Sequence, residues 1–401
     1  MNFEIPTKVQ PIHGIVRWIG ETYLRPLGRE ADRNHAPLPP DHPFFAEALE
    51  KGFSGGFLGK MKKRDKDFVD DGRPRNTARR AVILAEEAAY WDRGMATMLP
   101  GPGLGGAPVM FMGNDEQKTR FLDPFRKKDR PRWAAFAMTE PNAGSDVARI
   151  RTKAVADGNH WVLNGEKCFI SNGARGEFAV VWATVDPALG RAGHRAFVVE
   201  KGTPGFTVAR VETKMGLCAS ETASLVFEDC RIPKENLLEG SAKGAGFKGA
   251  MQTFNMTRPM VAAMAVGMAR AAYDEASTYA KTAFTGNSAW RLERVQDRLA
   301  EIRRKVEAGR LLAWKAAWQA DHRRDNAQEA AMAKAAAATM GLRAASLGLE
   351  ILGETGGSSD HLLEKLFRDV KALDIVEGTG QIQRIIIARR RIGHTTVQES
   401  S

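Results

Sequence analysis

One carboxylate in the sequence lies next to an apolar segment, so the fold could place it in a pocket that excludes water. Glu377 follows the mostly apolar residues 372–376 and precedes Gly378. Removal from water raises the pKa of a carboxylate toward neutrality, so that it can act as a general base on a weakly acidic carbon-bound proton. The alternative is structural, because a helix is predicted from Ile382 onward and an acidic residue is favoured near a helix N-terminus. Residue types alone do not decide between these interpretations.

A cluster of hydroxyl and glycine residues lies farther up the chain. Thr139, Gly144 and Ser145 follow an extended segment and lie close together. Their hydroxyls, and backbone N–H groups that a ligand could approach closely, suit a polar heteroaromatic or phosphate group. Taken alone, the cluster is equally typical of a surface turn.

Several other chemistries lack the residues that they need. The eight histidines and three cysteines show no metal-ligand spacing, so no metal site is predicted. Neither a G-x-S-x-G elbow nor a phosphate loop ending in G-K-S/T occurs, which excludes the common serine hydrolases and nucleoside triphosphatases. Basic residues concentrate at 60–80, 126–132 and 389–391, and charge runs of this kind favour solvated faces or a small polyanion over nucleic acid.

Three regions of different hydrophobic period must position these residues. Around residues 10–132 and 247–391 apolar residues recur at spacings of three and four, which predicts helices, for example over 77–99, 329–348 and 382–392. Between them the period is two, in β-rich runs. We expect an α+β multidomain protein with an N-terminal helical domain (1–132), a small middle β-barrel or sandwich domain (133–240) and a C-terminal helical domain (241–401).

One hairpin is predicted within the middle region. Asn164 and Gly165 separate the apolar runs 161–163 and 167–170. The Asn-Gly pair readily adopts the positive φ angles of a tight turn, so the two runs are predicted to pair as adjacent strands.

Composition limits the class of protein. The chain has 401 residues, a formal net charge of +11, 43% hydrophobic residues and three cysteines, as in a globular protein of a reducing compartment without a disulfide framework. Uncharged apolar runs fall short of the ~20 residues of a membrane span, and the N-terminal sequence resembles no secretory signal. We expect a soluble cytoplasmic protein that binds neither membranes nor nucleic acid.

Several stretches together resemble the acyl-CoA dehydrogenase family, flavoproteins that desaturate acyl-CoA thioesters. They are FAMTEPNAGSDV at 136–147, WVLNGEKCFISNG at 161–173, KMG at 214–216, VFED at 226–229, TRP at 257–259, LFRD at 366–369 and VEGTGQIQR at 376–384. The resemblance covers about residues 85–393. It implies the family's three-part fold, with a four-helix bundle as the C-terminal domain, which agrees with the periodicity.

The resemblance also implies a reaction and a site. Glu377 would abstract the α-proton while FAD takes the β-hydrogen as hydride, and the backbone N–H of Glu377 would polarise the thioester carbonyl. The positions that match FAD-binding residues are Phe136, Met138, Thr139, Gly144, Ser145, Phe169, Ile170, Ser171, Thr379 and Gln381. Those that match substrate-binding residues are Ser145, Asn255, Thr257, Arg258 and Gly378.

The partners implied are an acyl-CoA substrate and an electron-transfer flavoprotein. Thr379 and Gln381 match positions that meet FAD partly across a subunit boundary, so the resemblance implies an oligomer, expected to be a homotetramer. Val376 replaces the Tyr of many straight-chain members, which leaves room for a branched or cyclic acyl group.

Two departures from the family pattern affect the pyrophosphate of FAD. No Arg is in register in residues 282–290, and the usual Gln-x-x-Gly-Gly appears with Glu350 and Glu354, which would repel a phosphate unless a cation intervenes. The departures leave two alternatives open: a subunit of a heteromeric dehydrogenase whose partner completes the FAD site, or a nucleic-acid-binding flavoprotein of the same fold.

Overall fold

The first part of the chain is helical. The computed structural model describes residues 4–53, 76–241, 246–283 and 289–393, so most of the basic segment 60–80 and the centre of segment 282–290 lie outside the described residues. The helices before residue 133 are α1 (Gln10–Ile19), α2 (Arg25–Arg33), α3 (Pro43–Glu50), α4 (Thr77–Met98), α5 (Gly103–Met112) and α6 (Asp115–Leu122). The predicted helical character of this region is confirmed.

Helix α4 is interrupted near its C-terminal end. Asp92 leaves helical geometry with φ −164° and ψ 115°. Its Oδ1 accepts a hydrogen bond of 2.8 Å from the backbone N–H of Met95, as an N-cap residue does, so a new helical segment begins after the kink. Its Oδ2 accepts a hydrogen bond of 2.7 Å from Lys365 Nζ, which fixes the kink against a later helix.

The middle region forms one mixed sheet of seven strands. The strands are β1 (Ala134–Ala137), β2 (Lys153–Asp157), β3 (His160–Ser171), β4 (Phe178–Thr184), β5 (His194–Glu200), β6 (Phe206–Val211) and β7 (Thr222–Pro233). Their order is β1-β4-β2-β3-β7-β6, and β5 pairs with β4. Every residue of β4 is buried, because this strand lies within the sheet and has apolar cores on both sides.

The predicted hairpin at Asn164 and Gly165 is wrong. Strand β3 continues through both residues, and its register against β7 shifts at Gly165, where φ is 146°. The hairpin that contains β3 turns instead at Gly158, where Asp157 pairs with His160. The Asn-Gly preference for positive φ is satisfied in a β-bulge as well as in a turn, and the local sequence does not distinguish the two.

The last part of the chain is again helical. It contains α7 (Gly246–Ala283), α8 (Ala289–Asp321), α9 (Ala327–Leu352), α10 (Leu362–Lys371) and α11 (Gly380–Arg391). Helix α9 packs against α7, α8, α10 and α11, and α4 packs along α7 and α8. Alanines on α9 such as Ala330, Ala333 and Ala337 are fully or almost fully buried, because small side chains let the helices approach closely.

Helix α9 is also apolar over a long stretch. Among the described residues, Ala327–Thr355 alone is long and apolar enough to cross a membrane by length and composition. It is nevertheless surrounded by other helices of the same chain, and Lys334 on it is 0% exposed. Its apolar surface is used in the helical core.

Candidate active site

Glu377 lies in the connection between α10 and α11, here called the Glu377 loop (residues 372–379). Its backbone is left-handed with φ 55°, and Gly378 follows with φ 90°. A left-handed conformation costs a non-glycine residue about 1–2 kcal/mol. Such a conformation persists only where the surroundings hold it in place.

Buried donors hold the Glu377 loop by its carbonyl oxygens. Lys334 Nζ donates to Asp374 O at 2.9 Å and to Gly378 O at 2.7 Å. Gln383 Nε2 adds a hydrogen bond of 3.0 Å to Gly378 O. Burial lowers the pKa of Lys334 to about 8. Sequence analysis missed this lysine, and the available signal was a single charge within the apolar residues 330–338.

The carboxylate of Glu377 reaches helix α7. Thr257 Oγ1 donates a hydrogen bond of 2.6 Å to Oε2, while Oε1 accepts none from the described residues. Burial raises the pKa of Glu377 above its ordinary value. The bond from Thr257 opposes the rise, as do three cations: Arg258, Arg93 and Lys334. The net result is a partly enclosed carboxylate that is a better proton acceptor than an exposed one.

Three predicted substrate-binding residues of α7 lie beside the Glu377 loop. Besides the contact of Thr257, Arg258 donates from Nε to Glu377 O at 3.3 Å and from Nη1 to Asn255 Oδ1 at 3.1 Å. Arg258 is 4% exposed, and burial lowers its pKa. The structure therefore brings Asn255, Thr257 and Arg258 together with Glu377 and Gly378.

Another predicted set lies where β1 and β3 end. The backbone N–H of Cys168 donates to Thr139 O at 2.9 Å and joins the two stretches. The hydroxyls of Thr139, Ser145 and Ser171 make no hydrogen bond within the described residues. Phe169 is 66% exposed in a left-handed conformation, φ 59°. Unused hydroxyls beside an exposed aromatic ring fit a flat polar ring system such as the flavin of FAD.

Some residues of this set have little open surface. Met138 and Ile170 are 3% and 2% exposed, and their side chains belong to the two cores of the sheet. Phe136 is partly buried, with its ring 4.3 Å from that of Trp182 and 5.6 Å from that of Phe254 on α7. Phe136 thus connects the sheet to the helix that carries the substrate-binding positions, whereas the exposed Gly144 and Ser145 lie in the loop after β1.

A buried ion pair supports the loop after β1. Lys167 Nζ lies 2.8 Å from Glu140 Oε1 and donates to Met138 O at 3.0 Å. Glu140 also accepts hydrogen bonds from the backbone and hydroxyl of Thr152. Sequence analysis missed the pair, although each flavin-like stretch contains one of its members. The pair fixes the two stretches relative to each other.

Thr379 is the last residue of the Glu377 loop, and Gln381 lies in the first turn of α11. Thr379 caps α11 by accepting a hydrogen bond of 3.4 Å from the backbone N–H of Ile382, and Gln381 is exposed in the first turn. Neither residue lies with Thr139 and Ser171 in the loops of the sheet.

The carboxylate of Glu350 is not isolated. Arg298 Nε lies 3.0 Å from Glu350 Oε2, and Arg343 Nη1 lies 3.4 Å from Oε1. Two cations therefore surround the residue that sequence analysis identified as a source of repulsion. Glu354 lies two residues beyond the end of α9 and makes no ion pair within the described residues.

Comparison with known proteins places the chain in a family. Residues 135–230 match the acyl-CoA dehydrogenase middle domain, and residues 244–392 match the acyl-CoA dehydrogenase C-terminal domain.

Within the described residues, no group of histidine, cysteine, aspartate and glutamate side chains could hold a metal ion.

Similarity to individual proteins extends over nearly the whole chain. The acryloyl-CoA reductase (NADH) of Anaerotignum propionicum is 36% identical over 392 residues, 97% of this chain and 95% of that protein. The mitochondrial short-chain specific acyl-CoA dehydrogenase of Mus musculus is 40% identical over 389 residues, 96% of this chain and 90% of that protein. The structure of butyryl-CoA dehydrogenase from Megasphaera elsdenii has a TM-score of 0.86 at 32% identity, and the match covers 98% of this chain and 100% of that one. With its helical, β and helical regions in this order, the chain belongs to the acyl-CoA dehydrogenase family.

Proposed function

We propose that the protein catalyses the α,β-dehydrogenation of an acyl-CoA thioester to the trans-2-enoyl-CoA, with Glu377 as the base. The observation that carries the proposal is the Glu377 carboxylate. Burial raises its pKa, Thr257 holds one oxygen at 2.6 Å, and the other oxygen remains available to a substrate proton. A base of this kind matches the first requirement of the reaction, removal of a weakly acidic α-proton.

The chain also supplies stabilisation for the charge that develops when the α-proton leaves. The backbone N–H of Glu377 donates no hydrogen bond within the described residues, so it is available to the thioester carbonyl oxygen. Arg258 and Lys334 place positive charge near the same loop. The α-proton moves to Glu377, and the loop holds the carbonyl in line with it.

FAD would supply the electron acceptor that takes the β-hydrogen with its electron pair. We assign the hydroxyls of Thr139 and Ser171 to hydrogen bonds with the flavin ring. The side chain of Phe169 is assigned to contact with the exposed face of that ring. The other residues assigned to the cofactor are Phe136, Met138, Gly144, Ser145, Ile170, Thr379 and Gln381. Thr379 and Gln381 lie apart from the loops of the sheet, which is consistent with contact to the cofactor of a second subunit.

The visible spectrum of the purified protein tests the proposal. A flavin band near ~450 nm should bleach on anaerobic addition of a suitable acyl-CoA. Replacement of Glu377 by Gln removes the base and should slow bleaching by about 100- to 10,000-fold without loss of the band. The matched control is Glu116→Gln, which removes an exposed carboxylate from α6 and should bleach at the wild-type rate. Bleaching of Glu377→Gln at that rate would contradict the assignment of the base.

The similarity to an acryloyl-CoA reductase supports a second candidate, which is the same chemistry in the opposite direction. Glu377 would then return a proton to the α-carbon, and its raised pKa favours the protonated form that this needs. Rates of flavin reduction by acyl-CoA and of flavin reoxidation by enoyl-CoA, measured on the same preparation, separate the two. If enoyl-CoA reoxidises the flavin much faster than acyl-CoA reduces it, the reductase is favoured.

The proposed partners are an electron-transfer flavoprotein and three further copies of the chain, in the cytoplasm. Pairing of Glu350 with Arg298 and Arg343 supports a complete FAD site over one that a different subunit must finish. Native mass spectrometry should give a homotetramer with one FAD per chain. A colourless monomer or dimer would instead indicate a heteromeric dehydrogenase, and retention on DNA would indicate the nucleic-acid-binding alternative.

A further inference from the structure

Gln383 in the first turn of α11 packs against the Glu377 loop. Its side chain is 0% exposed. Nε2 donates to Glu377 O at 3.3 Å and to Gly378 O at 3.0 Å. Arg258 donates only to the first of these carbonyls and Lys334 only to the second, so among the described residues Gln383 alone bonds both. The amide of Gln383 therefore fixes how the two carbonyls are oriented relative to each other.

The convergence of two successive carbonyls on one nitrogen restricts the backbone at Gly378. Successive carbonyls point to the same side of the chain in helical conformations of either hand, and to opposite sides in an extended strand. Glycine populates both kinds of conformation readily. With φ 90° at Gly378, both carbonyls reach the amide. The two bonds from Gln383 thus exclude the extended conformation, which glycine would otherwise permit.

Gly378 and Gln383 depend on each other. A Cβ on residue 378 would lie 2.7 Å from Gln383 Nε2, which is closer than real Cβ contacts allow. The amide can therefore reach the two carbonyls only because residue 378 is glycine. Without the amide, the same glycine would leave the loop free to change its conformation. The turn that carries Glu377 thus needs both residues.

The other end of the amide argues against a role in stability alone. The two carbonyls fix which end of the amide faces the loop, and Gln383 Oε1 is left buried without a partner in the described part of the chain. Such an acceptor costs free energy that a leucine of similar size would avoid. Both carbonyls would still keep one donor, from Arg258 and from Lys334. Stability gives no reason for an amide here, whereas placement of the Glu377 carboxylate does.

We propose that Gln383 is a positioning residue of the dehydrogenation, which aims the carboxylate and the N–H of Glu377 at the substrate by holding the turn at Gly378. The proposal rests on the proposed function and adds a residue to its machinery. Gln383 is neutral and makes no hydrogen bond to the carboxylate, whose described donor is Thr257. Its loss should therefore change the geometry of the base and not the pH at which the base ionises.

Two variants of the holoenzyme test this role, with butyryl-CoA, hexanoyl-CoA and octanoyl-CoA as probes. Gln383→Leu removes both bonds, so kcat for bleaching per bound flavin should fall by about 10- to 100-fold while KM changes by less than about 3-fold. The acid limb of its pH profile should stay at the wild-type pH. Gln383→Glu should lose activity relative to the wild type as pH rises, because a protonated acid can donate to a carbonyl and an ionised one is repelled by both.

Gln117→Leu is the matched control for burial and bonding. Gln117 is 6% exposed, and its Nε2 donates to Glu235 O at 2.8 Å and to Leu237 O at 2.7 Å, just after β7. The control should lower the midpoint of thermal unfolding at least as much as Gln383→Leu but leave kcat and KM per bound flavin unchanged.

Three results would overturn the proposal. They are wild-type kinetics in Gln383→Leu, an equal loss of kcat in Gln117→Leu, and a Gln383→Glu variant that is no more active than Gln383→Leu at any pH. If Gln383→Leu does not fold, the pH dependence of Gln383→Glu relative to the wild type decides alone.

Exchange of the α-proton separates this proposal from the proposed function. In D2O the α-proton leaves to Glu377 and a deuteron returns, so proton NMR of the acyl-CoA follows the base whether or not a flavin accepts the hydride. Exchange without bleaching in the wild type, slowed by about 10- to 100-fold in Gln383→Leu, upholds Gln383 and refutes the dehydrogenation. Bleaching that Gln383→Leu leaves intact upholds the dehydrogenation and refutes Gln383. A wild type that shows neither exchange nor bleaching refutes both.

Discussion

Glu377 combines two unfavourable features in one residue, a left-handed backbone and a carboxylate withdrawn from water. The backbone is held by hydrogen bonds to the carbonyls of residues 374, 377 and 378. The basicity of the carboxylate depends on the balance between burial, which raises its pKa, and the bond from Thr257, which lowers it. Each influence can be changed separately.

Replacement of Thr257 by Val should shift the pH dependence of the reaction. Valine keeps the shape but removes the hydrogen bond to Glu377 Oε2, so the ionised form is less stable and the pKa of Glu377 rises further. Because Glu377 acts as a base when ionised, the rate falls as pH drops through its pKa, and this fall should move to higher pH. The measurement is the rate of flavin bleaching at saturating acyl-CoA against pH.

The control for this change lies one turn earlier on the same helix. Thr253 is also buried, but its hydroxyl donates to Gly249 O and does not touch Glu377. Thr253→Val should therefore leave the pH profile in place. An acid limb that stays at the same pH in Thr257→Val would show that the hydroxyl does not set the basicity of Glu377.

The residues of the candidate site were predictable only where a motif contains them. Glu377 and Thr257 lie in two such motifs, but the sequence does not show that their side chains meet across a separation of 120 residues. Arg93 lies in an ordinary helical pattern, where a cation is expected at the surface, and the signal at Lys334 is its position as the single charge within the apolar residues 330–338. Their burial follows from helix packing, which no local pattern specifies.

At the scale of elements, α9 acts as the support of the Glu377 loop. Lys334 lies in the N-terminal third of this helix and donates hydrogen bonds to two carbonyls of the loop at 2.9 and 2.7 Å. The position of the loop therefore depends on that of α9.

Replacement of Lys334 by Met should impair catalysis more than binding. Loss of both bonds lets the loop shift, and a displacement of about 1 Å lowers kcat by up to about 100-fold, whereas KM should change much less. The free energy of unfolding should fall by about 1–3 kcal/mol, because Asp374 O loses the bond from Lys334 and Gly378 O keeps only the bond from Gln383. Lys371→Met, an exposed change on α10, is the matched control and should alter neither quantity.

The stability of Lys334→Met should also depend on pH differently from that of the wild type. Burial lowers the pKa of Lys334 in the folded protein to about 8 from an unfolded value of 10.5, so between these values the unfolded chain binds more protons. The stability of the wild type should therefore rise with pH in this window relative to Lys334→Met, by at most about 1.4 kcal/mol per pH unit. If the stabilities of the wild type and of Lys334→Met change in parallel with pH, Lys334 has the same pKa in the folded and the unfolded protein.

Helices and strands were predicted correctly where the hydrophobic pattern extends over many residues. One prediction that depended on a two-residue signal was wrong. The helical regions and most strands follow from hydrophobic spacing, which reflects burial on one face. The pair Asn164 and Gly165 indicated a turn but lies inside β3. The distinction depends on the pairing with β7, which is absent from the local sequence.

At the scale of the whole molecule, buried charges join the first helices to the last ones. Glu86 on α4 lies 3.0 Å from Arg270 on α7 and 2.8 Å from Arg310 on α8. Burial raises the pKa of the neighbouring Glu87, but Arg270, His13 and a hydrogen bond from Trp91 together lower it below its ordinary value. The network ties α4, and with it Arg93 and the kink, to the C-terminal helices.

Replacement of Arg310 by Met should destabilise the whole fold. Glu86 is 4% exposed and would keep Arg270 but lose its closest partner, so the free energy of unfolding at neutral pH should fall by about 3–5 kcal/mol. Chemical denaturation followed by circular dichroism and flavin fluorescence measures the change. Arg130→Met breaks an exposed pair with Glu177 and should cost at most about 1 kcal/mol. Equal losses in the two variants would contradict a special role for the buried network.

The left-handed backbone at Glu377 also bears on how such a chain would change if its reaction were no longer needed. Glycine adopts φ 55° without the steric cost that glutamate has there, so the substitution would relieve about 1 kcal/mol of strain and remove a carboxylate from a desolvated site. Selection for activity alone opposes this exchange. A relative with glycine at this position and an otherwise intact loop would therefore be relieved of this strain, and it would keep the reaction only if another element supplied the base.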